Sequence, residues 1–184
     1  MKLHLTAQQL NDGLEYIEGS PSDSTQIDMI VCRPAIGERK VIQQGYLDKE
    51  KGLIGDNWYT RGSSKTFDKS SHKEMQLNIM NSRCIGHIAQ KKDRWQLAGD
   101  QLFIDLNLND TNLPAGTQLS LGGEAIVEIT AIPHNGCKKF AERYGVDAVK
   151  FVNSPIGKKL HLRGVNAKVV KSGIIKVGDT VKKI

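Results

Sequence analysis

Cys137 is the residue of this sequence whose type and setting best suit chemistry. It follows Gly136, begins a short helical pattern and is followed directly by Lys138 and Lys139. A helix N-terminus and adjacent cations both favour the thiolate, which is the reactive form of cysteine. A free cysteine is also often a small buried hydrophobe. The residues alone leave these two interpretations open.

Three other residues are candidates for a site with Cys137. Arg163 lies at the entrance to a strand-like run, where a guanidinium would clamp a phosphate through two hydrogen bonds. Arg33 lies at a strand end and is a similar candidate. His134 lies three residues before Cys137 and would orient or deprotonate it, although a histidine in such a loop often does neither.

The composition describes an ordinary globular chain. Its 184 residues suit one good-sized domain with or without an appendage. The apolar runs are only a few residues long, and the polar start has no signal-peptide core, so we expect a cytoplasmic protein with no membrane span. The three cysteines are widely separated and show no zinc-ligand spacing. Cys32 and Cys84 fall on core-like positions, and we expect both to be structural.

Positive charge is concentrated in one segment. Between residues 133 and 172 there are nine Lys and Arg residues but only two acids, a balance of +7 within a chain of net charge +6. By subtraction the remainder is about −1. A segment this basic predicts an anionic partner such as a phosphate or a pterin phosphate, or else a solvated surface. Aromatic residues are 5% of the chain, which makes nucleic acid an unlikely partner.

Short strands dominate the hydrophobic pattern. A helix should begin after Thr6, which with Gln9 fits a capping box. Strands are expected over 26–33, 74–80, 102–108, 118–121, 125–131 and 165–169, with two more near the C-terminus. This predicts a mainly β (α+β) fold, a barrel or closed sandwich with a few short helices, and no βαβ rhythm. We expect residues 1–25 to form a helical segment packed on a domain of residues 26–184.

An ordered set of short motifs resembles the MOSC domain, the C-terminal domain of molybdenum cofactor sulfurases. The motifs are the segment from Gly99-Asp100 to Leu106, a G-x-x-L-x-x-G turn from Gly116, a strand closing on Pro133 and Cys137, Arg163-Gly164, and a terminal Gly178-Asp179. Gly52-Leu53-x-Gly55-Asp56 is similar to an earlier motif of that family. The resemblance covers roughly residues 26–184.

This resemblance implies a β-barrel that holds molybdenum cofactor (molybdopterin), with Cys137 as molybdenum ligand or as carrier of a persulfide. A thiolate suits both a soft metal centre and sulfur transfer. Polar and charged side chains beside the matching motifs and in the loop that follows them are the expected cofactor-binding residues: Arg33, Asp56, Arg61, Asn135, Lys138 and Arg163.

Two functions stay open at this point. One is a molybdenum cofactor protein that transfers sulfur to a molybdoenzyme or reduces N-hydroxylated small molecules with electrons from an external donor. The other is a non-enzymatic β-barrel module that binds an anionic ligand, with Cys137 as a packing residue.

Overall fold

A computed structural model describes residues 4–184 of the chain. Its strands, in chain order, are β1 (Ser24–Cys32), β2 (Lys40–Ile42), β3 (Gln44–Asp48), β4 (Gly52–Leu53), β5 (Leu77–Asn81), β6 (Leu102–Ile104), β7 (Gln118–Leu121), β8 (Ala125–Ile129), β9 (Val165–Lys171), β10 (Gly173–Lys176) and β11 (Thr180–Lys183). The helices are α1 (Ala7–Asp12), α2 (Leu14–Glu18), α3 (Trp58–Arg61), α4 (Ser82–Ala89), α5 (Lys138–Tyr144), α6 (Val146–Asn153) and α7 (Pro155–Lys159). Short 3₁₀ helices span Lys73–Met75 and Lys92–Ala98.

Seven strands close into a barrel, which confirms the predicted fold class. The order around it is β1, β11, β7, β8, β9, β5 and β6, and β6 pairs again with β1. Strand β2 extends β1 at one edge, and β3, β4 and β10 form a separate small sheet. Closure leaves few strand edges exposed, which is how an all-β architecture of this size avoids unpaired backbone groups.

Alternation of apolar and polar residues builds the barrel interior. On β8, Ala125, Val127 and Ile129 are buried while the intervening residues are partly exposed. Leu102 and Ile104 of β6 face the same interior, whereas Phe103 points to a second core under the helices. The predicted alternation over 102–108 is right for burial, although the strand itself ends at Ile104.

The helices pack against the outside of the barrel, and the second core lies between them and the strands. The predicted capping box is present: the Thr6 hydroxyl accepts from the N–H of Gln9, whose side chain accepts from the Thr6 N–H. Leu10 of α1 is buried in this core. Phe140 and Tyr144 of α5 are buried there too, as their spacing of four residues predicts, with ring centroids 4.8 Å apart.

Three features differ from the sequence-based expectation. Strand β1 begins at Ser24, two residues before the predicted start of this strand at 26. The predicted N-terminal helix is divided at Gly13 into α1 and α2. An added Cβ at Gly13 would lie 2.4 Å from the His87 ring, so this position favours glycine. Strands β5 and β6 run parallel, joined by a crossover that contains α4. A single crossover produces no repeating βαβ pattern, so the sequence did not reveal it.

Candidate functional site

Cys137 is the exposed cysteine of the three, all of which lie in the described part of the chain. It is the N-cap of α5 with an extended backbone, and its carbonyl accepts from the N–H groups of Phe140 and Ala141 at 2.9 and 3.1 Å. Cys32 and Cys84 are buried, which confirms the prediction for both. Burial raises the pKa of the Cys84 thiol to about 12 and also raises that of Cys32.

The turn before Cys137 is fixed by α6. The side chain of Asn153 accepts from the N–H of Gly136 at 2.8 Å and donates to its carbonyl at 2.9 Å. A Cβ on Gly136 would lie 2.8 Å from methyl groups of Val149 and Val152, so only glycine allows this approach. The paired hydrogen bonds therefore set the direction in which the chain enters α5 and presents Cys137.

Three charged or titratable side chains meet under this turn. The Asp100 carboxylate is fully buried and accepts from Arg163 Nη1 at 2.7 and 2.9 Å. It also lies 3.1 Å from Nε2 of His134. Arg163 Nη2 donates to the Ala98 carbonyl at 2.9 Å, and its guanidinium lies 4.9 Å from the centre of the Phe140 ring. The 98–100 turn, the strand entrance at 163 and the loop before Cys137 are thus tied together.

The electrostatics of this cluster set two protonation states. Burial alone would raise the pKa of Asp100, but the Arg163 charge and the His134 hydrogen bond outweigh it and lower this pKa to about 2. Burial and the Arg163 charge lower the pKa of His134, and Asp100 offsets this only in part. His134 is therefore neutral at neutral pH. Its Nε2–H donates to Asp100, which leaves Nδ1 as a hydrogen-bond acceptor.

A cavity of about 390 Å³ opens beside the cluster and is lined by His134 and Arg163. Its polar wall includes Thr130, His134, Asn135, His161, Arg163 and Asn166. Asn135 is exposed and lies two residues before Cys137. The volume is that of a small-molecule site with a few convergent polar groups.

Arg33 and Asp56 occupy a second buried ion pair. Arg33 Nε and Nη2 donate to the two carboxylate oxygens of Asp56 at 2.8 and 2.9 Å. Arg33 Nη1 donates to the Gly99 carbonyl at 2.9 Å, so this arginine also holds the 98–100 turn. Asp56 further accepts from the backbone N–H groups of Arg33 and Trp58, each at 2.9 Å. The polar atoms of this pair are largely engaged within the protein.

The remaining predicted site residues lie at the surface. Lys138 is the first residue of α5 and is exposed next to Cys137. Arg61 ends α3 and is exposed on the side of Arg33 and Asp56. Thus Asn135, Lys138 and Cys137 are adjacent in the chain, whereas Arg61 belongs to the neighbourhood of the second ion pair.

Sequence reasoning missed the central place of Asp100. Gly99-Asp100 lies in a turn, since Gly99 has a positive φ of 90° at the end of the 3₁₀ helix. A buried carboxylate at the tip of a turn needs a cation from elsewhere in the chain. Arg163 supplies it from 63 residues away. The one sequence signal for the Asp100–Arg163 ion pair was that both residues belong to the same set of motifs.

Comparison with solved structures agrees with the fold. No protein-family model and no curated protein sequence matches the chain. The YuaD protein of Bacillus subtilis is similar in structure, with a TM-score of 0.65 and 14% identity over 86% of this chain and 94% of that one. YiiM of Escherichia coli has a TM-score of 0.56 and 16% identity over 86% and 69% of the two chains. YiiM of Geobacillus stearothermophilus has a TM-score of 0.56 and 14% identity over 87% and 75%.

These similarities agree with the β-barrel fold of the chain. At this level of identity they show the fold alone. Within residues 4–184 no helix is both long and apolar enough to cross a membrane.

Proposed function

We propose that this protein binds molybdenum cofactor and that Cys137 is its protein ligand or carries sulfur as a persulfide. The observation that carries this proposal is the placement of Cys137. It is exposed at the start of α5, two residues after Asn135, which lines the cavity, while the other two cysteines are buried. An exposed thiol has no packing role, which argues against the alternative in which Cys137 only fills space.

The residues around Cys137 fit a cofactor that brings most of the metal ligands itself. Among residues 4–184 no cluster of three or more His, Cys, Asp or Glu side chains could hold a metal ion. One exposed thiolate suits a soft metal that is already bound to a sulfur-containing pterin. The bound cofactor would supply redox chemistry or a terminal sulfur at the metal. Asn135 and Lys138 flank the thiol and would contact the pterin or its charged groups.

His134 would accept or donate a proton at the cavity. It lines the cavity, and its neutral imidazole has Nδ1 as acceptor because Nε2–H is directed to Asp100. A carboxylate that fixes the tautomer and orientation of a histidine is the arrangement of a general base. Arg163 keeps Asp100 ionised and so acts as a positioning residue for His134.

We further propose a cytoplasmic protein whose partner is a small-molecule substrate or an acceptor molybdoenzyme. Sulfur transfer to that enzyme needs a persulfide on Cys137. Reduction of N-hydroxylated compounds needs an external electron donor instead. Both reactions would use the Cys137 thiol.

Metal analysis tests the proposal. Wild-type protein, Cys137→Ser and Cys32→Ala would be purified from a host that makes molybdenum cofactor, and their molybdenum content measured by metal mass spectrometry. We expect molybdenum in wild type and in Cys32→Ala, and a large loss in Cys137→Ser, because a hydroxyl is a poor ligand for a soft metal. Background molybdenum in wild type, also after incubation with free cofactor, would exclude the proposal.

A further inference from the structure

The cavity of about 390 Å³ has room for an organic molecule and is distinct from the thiol. Among the described residues, Asn135 lines it, whereas Cys137 and Lys138 do not. An apolar cavity of about 150 Å³ is enough for benzene, so this one has room for a molecule of about two fused rings. Much of its wall consists of buried apolar side chains, which are Leu113, Ile129, Val152 and Val165.

Two buried polar side chains of the cavity wall already have partners within the protein. Thr130 Oγ1 donates to the Glu74 carbonyl at 2.6 Å. The Asn166 side chain donates to the Ile132 carbonyl at 2.9 Å and accepts from the Asn78 side chain at 2.7 Å. Groups that are already hydrogen-bonded gain little from a polar ligand, so this part of the wall favours an apolar one.

The charges at the cavity do not favour an ionic ligand. Arg163 is paired with the buried Asp100 carboxylate, and its remaining Nε is not accessible to solvent. At the exposed rim, Lys158 and Asp110 have opposite charges, and Asp110 lies 2.9 Å from Nε2 of His161. An ion would lose its hydration here and would meet a buried cation that already has its carboxylate. The cavity therefore favours a neutral molecule.

Nδ1 of His134 is a hydrogen-bond acceptor that the protein leaves open. Nε2 is directed to the buried Asp100 at 3.1 Å, yet the His134 side chain is 14% exposed. Nδ1 has no hydrogen-bond partner among residues 4–184 and is accessible to solvent. Burial and the Arg163 charge lower the pKa of His134, so Nδ1 is an unprotonated acceptor at neutral pH. A ligand that lies against His134 can therefore donate one hydrogen bond to it.

We propose that this cavity binds a neutral, mainly apolar small molecule that carries one O–H or N–H donor. Its apolar part would contact Leu113, Ile129 and Val165, and its donor would bond to Nδ1 of His134. The inference deepens the proposed function, because a molecule held two residues from Cys137 by way of Asn135 would be the small-molecule substrate of that function. Binding to the cavity does not itself require molybdenum.

Titration of the full chain, free of molybdenum, with indole and N-methylindole tests the site. Both probes are neutral and bicyclic, but only indole has an N–H donor. NMR of ¹⁵N-labelled protein would locate the binding, and calorimetry would give the affinities. We expect indole to shift the backbone signals of Gly164 and Asn166, which line the cavity.

His134→Phe measures the proposed hydrogen bond, since it keeps an aromatic ring but removes the acceptor. The ratio of indole affinity to N-methylindole affinity should be at least about threefold larger in wild type than in this variant. His72→Phe is the matched control, because it is the same substitution at a histidine outside the cavity. It should leave the ratio within about twofold of the wild-type value.

A second measurement uses wild type alone and so does not depend on the folding of a variant. Indole-2-carboxylate should bind at least about tenfold more weakly than indole, because its charge would be desolvated beside an arginine that is already paired. Three results would overturn the proposal: indole that leaves the cavity signals unmoved, equal affinity ratios in wild type and His134→Phe, or a carboxylate that binds as tightly as indole.

The molybdenum content of wild type from a cofactor-producing host separates this inference from the proposed function. Indole binding together with background molybdenum would support the cavity site and exclude cofactor binding. Molybdenum in the protein together with no indole binding would support cofactor binding and exclude the cavity site. The two proposals therefore fail separately.

Discussion

The buried pair of Asp100 and Arg163 should contribute strongly to folding, and Asp100→Asn measures that contribution. The pKa of Asp100 falls from 3.8 to about 2 in the folded protein. One pKa unit corresponds to about 1.4 kcal/mol, so this difference corresponds to about 2–3 kcal/mol at neutral pH. The variant would also leave Arg163 buried without a counter-charge, and breaking such a pair costs about 3–5 kcal/mol. We expect Asp100→Asn to lower the free energy of unfolding by about 2–4 kcal/mol.

The sign of the pH dependence follows from the direction of the shift. Because the pKa of Asp100 is lower in the folded state, its stabilising effect is complete above about pH 4 and is lost as the pH falls towards 2. Wild type should lose stability in this window. Asp100→Asn has no carboxyl group at this position. Between pH 4 and pH 2 its unfolding free energy should therefore fall by about 2 kcal/mol less than that of wild type. The difference between the two proteins should therefore shrink on acidification.

Urea denaturation at pH 7 and at steps down to about pH 3 provides the measurement. Asp105→Asn is the control, since Asp105 pairs with Arg83 at side-chain exposures of 29% and 22% and should contribute less than about 1 kcal/mol. Adding Arg163→Met to Asp100→Asn should recover part of the loss, because the unpaired buried charge is then removed. Two results would refute the reasoning. One is that Asp100→Asn loses no more unfolding free energy than Asp105→Asn. The other is that the difference in unfolding free energy between wild type and Asp100→Asn does not narrow below pH 4.

Two further predictions concern the site and its support. Limited alkylation of folded protein near neutral pH should modify Cys137 first, since burial protects the other two thiols and raises the pKa of Cys84 to about 12. Peptide mapping that finds a buried cysteine reacting faster would contradict this. Gly164→Ala should cost more than about 2 kcal/mol of unfolding free energy, because φ is 97° and a Cβ would lie 2.3 Å from the Ile79 carbonyl oxygen. Gly116→Ala has φ 92° with no atom within 4 Å and should cost only about 1 kcal/mol in the same denaturation assay, so equal losses would exclude the close contact as the cause.

The barrel could be predicted because its signal is local. Alternation in β8 and burial of Leu102 and Ile104 follow from a period of two, which each strand carries on its own. The cap of α4 is equally local: Asn81 accepts from the N–H of Cys84 three residues later. The position of Cys137 at a helix start followed from the residues around it in the same way.

The contacts of the site could not be predicted because they join distant residues with no periodicity. Asp100 and His134 are 34 residues apart in the sequence. Nothing in either local sequence indicates that the histidine faces that carboxylate. Likewise, nothing in the sequence indicates that Arg39 and Arg143 both approach Gly99. Chain closure by the barrel brings these loops together, and only the three-dimensional structure shows which charges are paired.

The pairing of charges also limits how strongly Arg163 can attract an anionic ligand. Arg163 was predicted to clamp phosphate, and that role stays a prediction. Its Nη1 and Nη2 are engaged by Asp100 and the Ala98 carbonyl, whereas its Nε is buried without a hydrogen-bond partner among residues 4–184. A buried cation that already has its carboxylate attracts a further anion only weakly. An anionic ligand in the cavity that Arg163 lines would therefore gain less free energy from this arginine than from a cation without a counter-charge.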